Sequence, residues 1–311
     1  MNNISVGIIG TGKYVPEKIL TNKELEKMVD TNDEWIKTRT GIEERRILSE
    51  GQSTSDLALK ASEEALKNAG ITAEDLDLIV VATVTPDMSF PSTACILQDK
   101  LGAKKAAAYD LSAACSGFIY SLANASNFIA NGTYKHVLVI GAESLSTITD
   151  YTDRNTCILF GDGAGAVVLG PVDEGRGFRS FELGSDGSGG DLLKKTDYIE
   201  MEGREVFKFA VRIMGSAAEE ALTKANMNKA DIDLLVPHQA NIRIIQSALE
   251  RLELSEDKCV INLQNYGNAS AASIPIALAE ANEQGRINEG DCIVLVGFGG
   301  GLTWGASVLI W

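Results

Sequence analysis

Apolar residues recur at helical spacing over residues 54–69 and again over 207–226, and each stretch runs into a short apolar segment, 76–83 and 232–236. In both places the spacing predicts an amphipathic helix that feeds a buried strand. Further on, a helix rich in Ala and Ser is predicted at 115–131 and another at 270–284. Near-continuous β-branched runs follow at 136–141 and 292–297. Strands that are apolar at every position and alternate with helices imply parallel-type sheet buried on both faces. The runs Ala164–Leu169 and Ala306–Ile310 then close each half without a following helix.

The pattern repeats because the sequence repeats. Residues 61–80 align without a gap on 217–236, an offset of 156, with Ala61/Ala217, Glu63/Glu219, Leu66/Leu222, Asp75/Asp231 and Asp77/Asp233 among the matches. The same offset lays His136–Gly141 on Cys292–Gly297. Two matches at one offset point to duplication. The expected architecture is α/β, with two similar halves, residues 1–170 and 171–311, stacked as α/β/α/β/α layers around a pseudo-twofold axis. The offset also places Cys115 on Ala271 and Ser112 on Asn268, so two corresponding loops should face each other across that axis.

Composition narrows the function. The 311 residues are 45% hydrophobic and 23% charged, values of an ordinary folded chain. A net charge of −15 argues against nucleic acid and against an anionic membrane surface as partner. No run of eighteen apolar residues occurs, and the first residues lack the pattern of a signal peptide. Cys95, Cys115, Cys157, Cys259 and Cys292 are odd in number and scattered, with no metal-ligand spacing. Such thiols suit a reducing cytoplasm.

Three segments carry candidate chemistry: Ala113–Phe118 with Cys115, Val236–Asn241 with His238, and Asn265–Ser270 with Asn268. Cys115 opens a predicted helix, where unpaired N–H groups and the macrodipole should lower its pKa. Small neighbours would admit a substrate carbonyl. A buried, inert cysteine is the plain alternative. His238, one of only two histidines, ends a strand where α/β ligand sites collect. Taken singly, His238 could be a satisfied loop histidine and Asn268 a turn former. As a set, the three describe a nucleophile and two groups able to stabilise an oxyanion. The glycine strings Gly7–Gly12 and Gly161–Ala166 lack the helix that a dinucleotide fingerprint requires, and a nucleotide site is rejected. Gly297–Gly301 instead offers backbone N–H groups to a reacting carbonyl.

With these segments in hand, the chain resembles the thiolase superfamily, and within it the β-ketoacyl-[acyl-carrier-protein] synthase III family, along essentially its whole length. Residues Asn32–Ile42, Gly161–Ala166, Gly203–Lys208 and Gly299–Gly305 support the match. The resemblance implies the five-layer thiolase-like fold and an acyltransferase that starts fatty-acid chains from a short-chain acyl-CoA and malonyl-ACP, through an acyl-Cys115 intermediate. It implies His238 and Asn268 as the decarboxylating pair and the N–H groups of Cys115 and Gly300 as the oxyanion hole. Trp35 and Arg154 would flank the adenine of CoA, and Arg39 would meet its phosphates. Gly203, Phe207 and Asn241 would line the pantetheine tunnel, and Gln239, Ala240, Asn241, Ile242 and Arg243 would meet the carrier protein. Phe160 and Phe298 would shape the acyl pocket, with Phe90 closing it from across a homodimer. No metal or redox cofactor is implied.

Near relatives are excluded on residues. Elongating ketosynthases have a second histidine where Asn268 stands. Hydroxymethylglutaryl-CoA-type synthases need a glutamate in the loop that here reads Val84–Met88. A thiolase needs a second catalytic cysteine near the C-terminus. A Cys–His thioester hydrolase, a binding module with a dead site, and a condensing enzyme of secondary metabolism remain as alternatives. Acyl carrier protein is itself acidic, so a local basic patch must overcome the −15 charge. Arg243 and Arg251 could supply it on one helix, with Lys208 and Arg212 on another.

Overall fold

A computed structural model describes residues 4–311. The first sheet holds β1 (Val6–Tyr14), β2 (Leu78–Ala82), β3 (Ala107–Leu111), β4 (Val137–Glu143) and β5 (Gly163–Pro171), in the order β1-β5-β4-β2-β3. The second holds β6 (Gly177–Ser185), β7 (Leu234–Pro237), β8 (Cys292–Gly299) and β9 (Thr303–Ile310), in the order β7-β8-β9-β6. Read from its other edge, β6-β9-β8-β7 repeats β1-β5-β4-β2. The fifth place is marked by a lone parallel bridge between Leu235 and Cys259.

The expectation of parallel-type sheet holds only for the inner strands. β2 runs parallel to β3 and β4, and β7 parallel to β8, but β5 and β9 are antiparallel to both neighbours. A parallel neighbour needs a crossover of about a dozen residues. Only Gly300, Gly301 and Leu302 separate β8 from β9, so the chain must turn straight back.

Alternation within the apolar strands explains why they are apolar throughout. Val137 and Val139 enter the central core while Leu138 and Ile140 enter the outer core of the first half. Ile293 and Leu295 likewise point inward, and Val294 and Val296 outward. Helices Gly117–Ala130 and Ser273–Glu283 fill the centre and touch both sheets. Thr54–Ala69 covers the first sheet outside, and Gly203–Lys224 with Ile242–Leu252 cover the second. Five layers result. The helix expected at 207–226 starts four residues earlier, at Gly203.

Both glycine strings are packing devices. Gly10 and Gly12 lie within β1, where a Cβ would collide with the backbone of helix Thr54–Ala69 at Ala65 and Ala61. A Cβ on Gly161 would collide with the Tyr266 carbonyl. Among the described residues, no helix is long and apolar enough to cross a membrane.

Candidate active site

β3 ends at Leu111, and one turn of 3₁₀ helix, Ala114–Ser116, carries Cys115 into helix Gly117–Ala130. Ala114 holds left-handed backbone, φ +48°, which turns Cys115 to the junction of two cavities. The first is lined mainly by apolar groups, among them Val84, Leu145, Ile148 and Ile199. The second runs past His238 and Asn268 to Gly203, Phe207 and Asn241. Cys115, Phe160 and Leu193 belong to both.

The thiol differs from expectation. Burial pushes Cys115 up from 9.0 to about 12, with the Glu143 charge adding to the rise and the Ser270 hydroxyl opposing it. A shift of that size corresponds to about 4 kcal/mol against the thiolate. A helix end contributes about 0.3–1 kcal/mol. Burial outweighs the helix end because Cys115 precedes the helix and lies against a largely apolar pocket, which favours the thiol over the thiolate.

His238 follows β7, its N–H donating to the Val296 carbonyl at 2.8 Å. Its ring meets Phe298 edge-on, centroids 5.5 Å apart. Burial pulls its pKa down to about 3, so the imidazole is neutral near pH 7. Asn268 is tied by its backbone to Leu159 and Gly161. Its Oδ1 accepts the Ser270 N–H at 2.8 Å, leaving the amide NH₂ free to donate.

The glycine loop closes over Cys115. A Cβ on Gly299 would come 2.5 Å from the Cys115 nitrogen, so only glycine lets the loop pass there. The Thr303 hydroxyl lies 3.0 Å from the Ala113 carbonyl and 3.1 Å from that of Gly300, clasping the two loops together. Gly300 lines the first cavity beside Cys115.

One residue of the site escapes a reading of the sequence. Glu143, at the end of β4, is fully buried and accepts from Thr85, Thr83, the Val84 N–H and Ser270. It thereby joins the 83–85 loop to the 268–273 turn beneath Cys115. Burial raises its pKa to about 7 despite these donors. An ionisable residue ending an otherwise apolar strand is the available signal, and the offset of 156 lays Glu143 on Gly299.

Several expected contacts need correction. Phe298 lines the second cavity with His238 and is absent from the first, whereas Phe160 lines both. Phe90 is 85% exposed and outside its own chain's pocket. Gln239 is 1% exposed. Its amide donates to the Pro237 and Val260 carbonyls and accepts from the Asn262 N–H, so it offers nothing to a carrier protein. Arg251 pairs with Glu219 at 2.6 Å, which removes it from a basic patch with Arg243. Lys208 pairs with Glu205. Arg243 is exposed over the Phe207 ring, 5.0 Å from its centroid, and Ala240, Asn241 and Ile242 are half-buried beside it. Arg154 stacks on Trp35 at 4.3 Å and Arg39 sits 6.0 Å from the same ring, forming a basic aromatic cluster. Asn241 donates to the Arg39 carbonyl and links this cluster to the tunnel.

Comparison with known proteins agrees with this geometry. Residues 109–187 match the family described as 3-oxoacyl-[acyl-carrier-protein (ACP)] synthase III, and residues 222–311 match its C-terminal part. The β-ketoacyl-[acyl-carrier-protein] synthase III of Geobacillus kaustophilus is 61% identical over 308 residues, covering 99% of each chain. The β-ketoacyl-[acyl-carrier-protein] synthase III 1 of Bacillus anthracis is 59% identical with the same coverage. The crystal structure of 3-oxoacyl-[acyl-carrier-protein] synthase III from Aquifex aeolicus superposes with a TM-score of 0.97 at 51% identity, over 98% of this chain and all of that one.

Proposed function

The chain belongs to the 3-oxoacyl-[acyl-carrier-protein] synthase III family, and from that premise we propose how its residues divide the work. The enzyme is an acyltransferase that initiates fatty-acid synthesis by decarboxylative condensation of a short-chain acyl-CoA with malonyl-ACP. Identity of 61% along the whole length disfavours the hydrolase and secondary-metabolism readings. The observation that carries the residue roles is the position of Cys115 where an apolar pocket meets a tunnel lined by His238 and Asn268.

In the first half-reaction the Cys115 sulfur attacks the acyl-CoA carbonyl, and the N–H groups of Cys115 and Gly300 hold the oxyanion. The C–S bond to CoA breaks, and the thiol proton ends on the departing CoA sulfur. The acyl chain lies in the apolar pocket. In the second half-reaction malonyl-ACP extends its pantetheine arm down the tunnel, and His238 and Asn268 donate to its thioester oxygen. The C–C bond to the carboxylate breaks and CO₂ leaves. The enolate so formed attacks the acyl carbonyl, the C–S bond to Cys115 breaks to release 3-oxoacyl-ACP, and the Cys115 sulfur takes up a proton from solvent to restore the thiol. The electron pair comes from the malonyl group, so this route draws on no metal or redox cofactor.

Arg39, Arg154 and Trp35 would receive the nucleotide end of CoA. Arg243, exposed at the tunnel mouth, would meet acidic acyl carrier protein. The strongly exposed Phe90 supports a homodimer in which it reaches the partner's pocket. Five free cysteines support a cytoplasmic setting. Supplying acyl-CoA and malonyl-ACP and identifying the products tests the reading. The proposal requires CO₂ and 3-oxoacyl-ACP, and free acid alone would defeat it.

A further inference from the structure

Decarboxylation as proposed asks His238 for a proton donor. A neutral imidazole carries its single proton on either nitrogen, and only one choice serves. We infer that Ser273 is the positioning residue that fixes His238 as the Nε2–H tautomer, by donating its hydroxyl proton to Nδ1. This rests on the assignment of His238 to the enolate.

The Ser273 Oγ lies 2.6 Å from Nδ1, in a residue 3% exposed. Its other polar neighbour is the Gln239 N–H, which donates to the same oxygen at 3.4 Å. Were Nδ1 to carry the proton, Ser273 would accept twice and its own buried hydroxyl proton would have no acceptor. With the hydroxyl donating to Nδ1, the Ser273 hydroxyl, Nδ1 and the Gln239 N–H are all paired, as buried polar groups generally are. The proton is then on Nε2, the nitrogen left for the cavity that His238 lines with Cys115 and Asn268. An imidazolium, which would need no such help, is disfavoured by burial.

Ser273 opens helix Ser273–Glu283, five residues after Asn268. The same short segment therefore orients both donors: the Ser270 N–H turns the Asn268 amide outward, and the Ser273 hydroxyl sets the His238 proton. A hydroxyl acting through the imidazole touches no substrate, so its effect should fall on decarboxylation and spare acylation.

Two histidines make the test direct. In protein carrying ¹⁵N-histidine, long-range ¹H–¹⁵N correlation spectra near pH 7 should show His238 as Nε2–H. Ser273→Ala should give mixed or reversed tautomers and slow CO₂ release from malonyl-ACP by about 10- to 100-fold, with acyl-enzyme formation from acyl-CoA retained. Ser273→Thr should restore both the tautomer and the rate. Wild-type His238 appearing as Nδ1–H would overturn the inference even if Ser273→Ala does not fold. So would a Ser273→Ala protein that keeps Nε2–H, or one that loses it yet decarboxylates at full rate. Normal decarboxylation by His238→Ala would instead defeat the parent assignment, leaving the tautomer itself readable in the spectrum.

Discussion

Ala114 and Ser270 stand 156 residues apart at equivalent places in the two halves, and both hold left-handed backbone, φ +48° and +47°. Each begins a single turn of 3₁₀ helix ahead of a central helix. The duplicated turn was put to two uses: one copy presents Cys115, and the other, with Ala271 in the cysteine's place, presents Asn268 from its approach. The symmetry of the fold brings Cys115 and Asn268 to one cavity.

Left-handed backbone at a non-glycine residue has a consequence for stability. Ala114→Val, β-branched, should destabilise by about 1–3 kcal/mol, whereas Ala114→Gly should stay within about 1 kcal/mol of the parent. Denaturant unfolding of the two variants checks this. Equal losses would mean that packing, not backbone strain, governs the position.

Gly299→Ala would push its Cβ against the Cys115 nitrogen, one of the two proposed oxyanion donors. Acylation by acyl-CoA should slow by about 10²–10³-fold, the usual effect of losing one such donor. CoA affinity should hardly change, because the Trp35, Arg39 and Arg154 cluster proposed to receive the nucleotide lies elsewhere. Stopped-flow acylation with a parallel binding titration separates the two effects, and weakened binding with normal acylation would contradict the assignment.

A buried thiol near 12 should show in chemistry. Below its pKa the thiolate fraction rises about tenfold per pH unit, so Cys115 alkylation by iodoacetamide should climb steadily from about pH 6 to 9. Glu143→Gln removes a negative charge that raises the thiol pKa, so at fixed pH alkylation should quicken, by up to about tenfold for one unit. Mass spectrometry of the Cys115 peptide follows the rate. A plateau below about pH 8 would show that the helix end supplies thiolate after all.

How much of this is legible in the sequence depends on the kind of interaction. The duplication, the apolar strands and Cys115, His238 and Asn268 stand in the sequence because local pattern and residue type carry them. Strand direction at β9 requires knowing that a three-residue link follows β8. The direction of the thiol's pKa shift departs from expectation because sequence shows the nearby helix end but not the burial of Cys115, which outweighs it. Gln239 looks like a surface residue beside Arg243, and only the fold shows its amide consumed by Pro237, Val260 and Asn262. Glu143 shows in the sequence only as an ionisable residue ending an apolar strand: its partners at 83–85 come from the neighbouring strand's end and Ser270 from the other half, and only the fold brings them together.

The central claim is that Cys115 carries the acyl group while His238 and Asn268 serve decarboxylation. The most direct measurement follows both half-reactions in His238→Ala, Asn268→Ala and the double variant, reading acyl-enzyme by intact mass and CO₂ release from malonyl-ACP. Each single variant should still form acyl-enzyme and should release CO₂ about 10²–10³-fold more slowly. The double variant should lose less than the product of the two, because donors to one oxyanion act as a unit. A single variant that decarboxylates normally but cannot be acylated would contradict the account and make that residue the activator of Cys115.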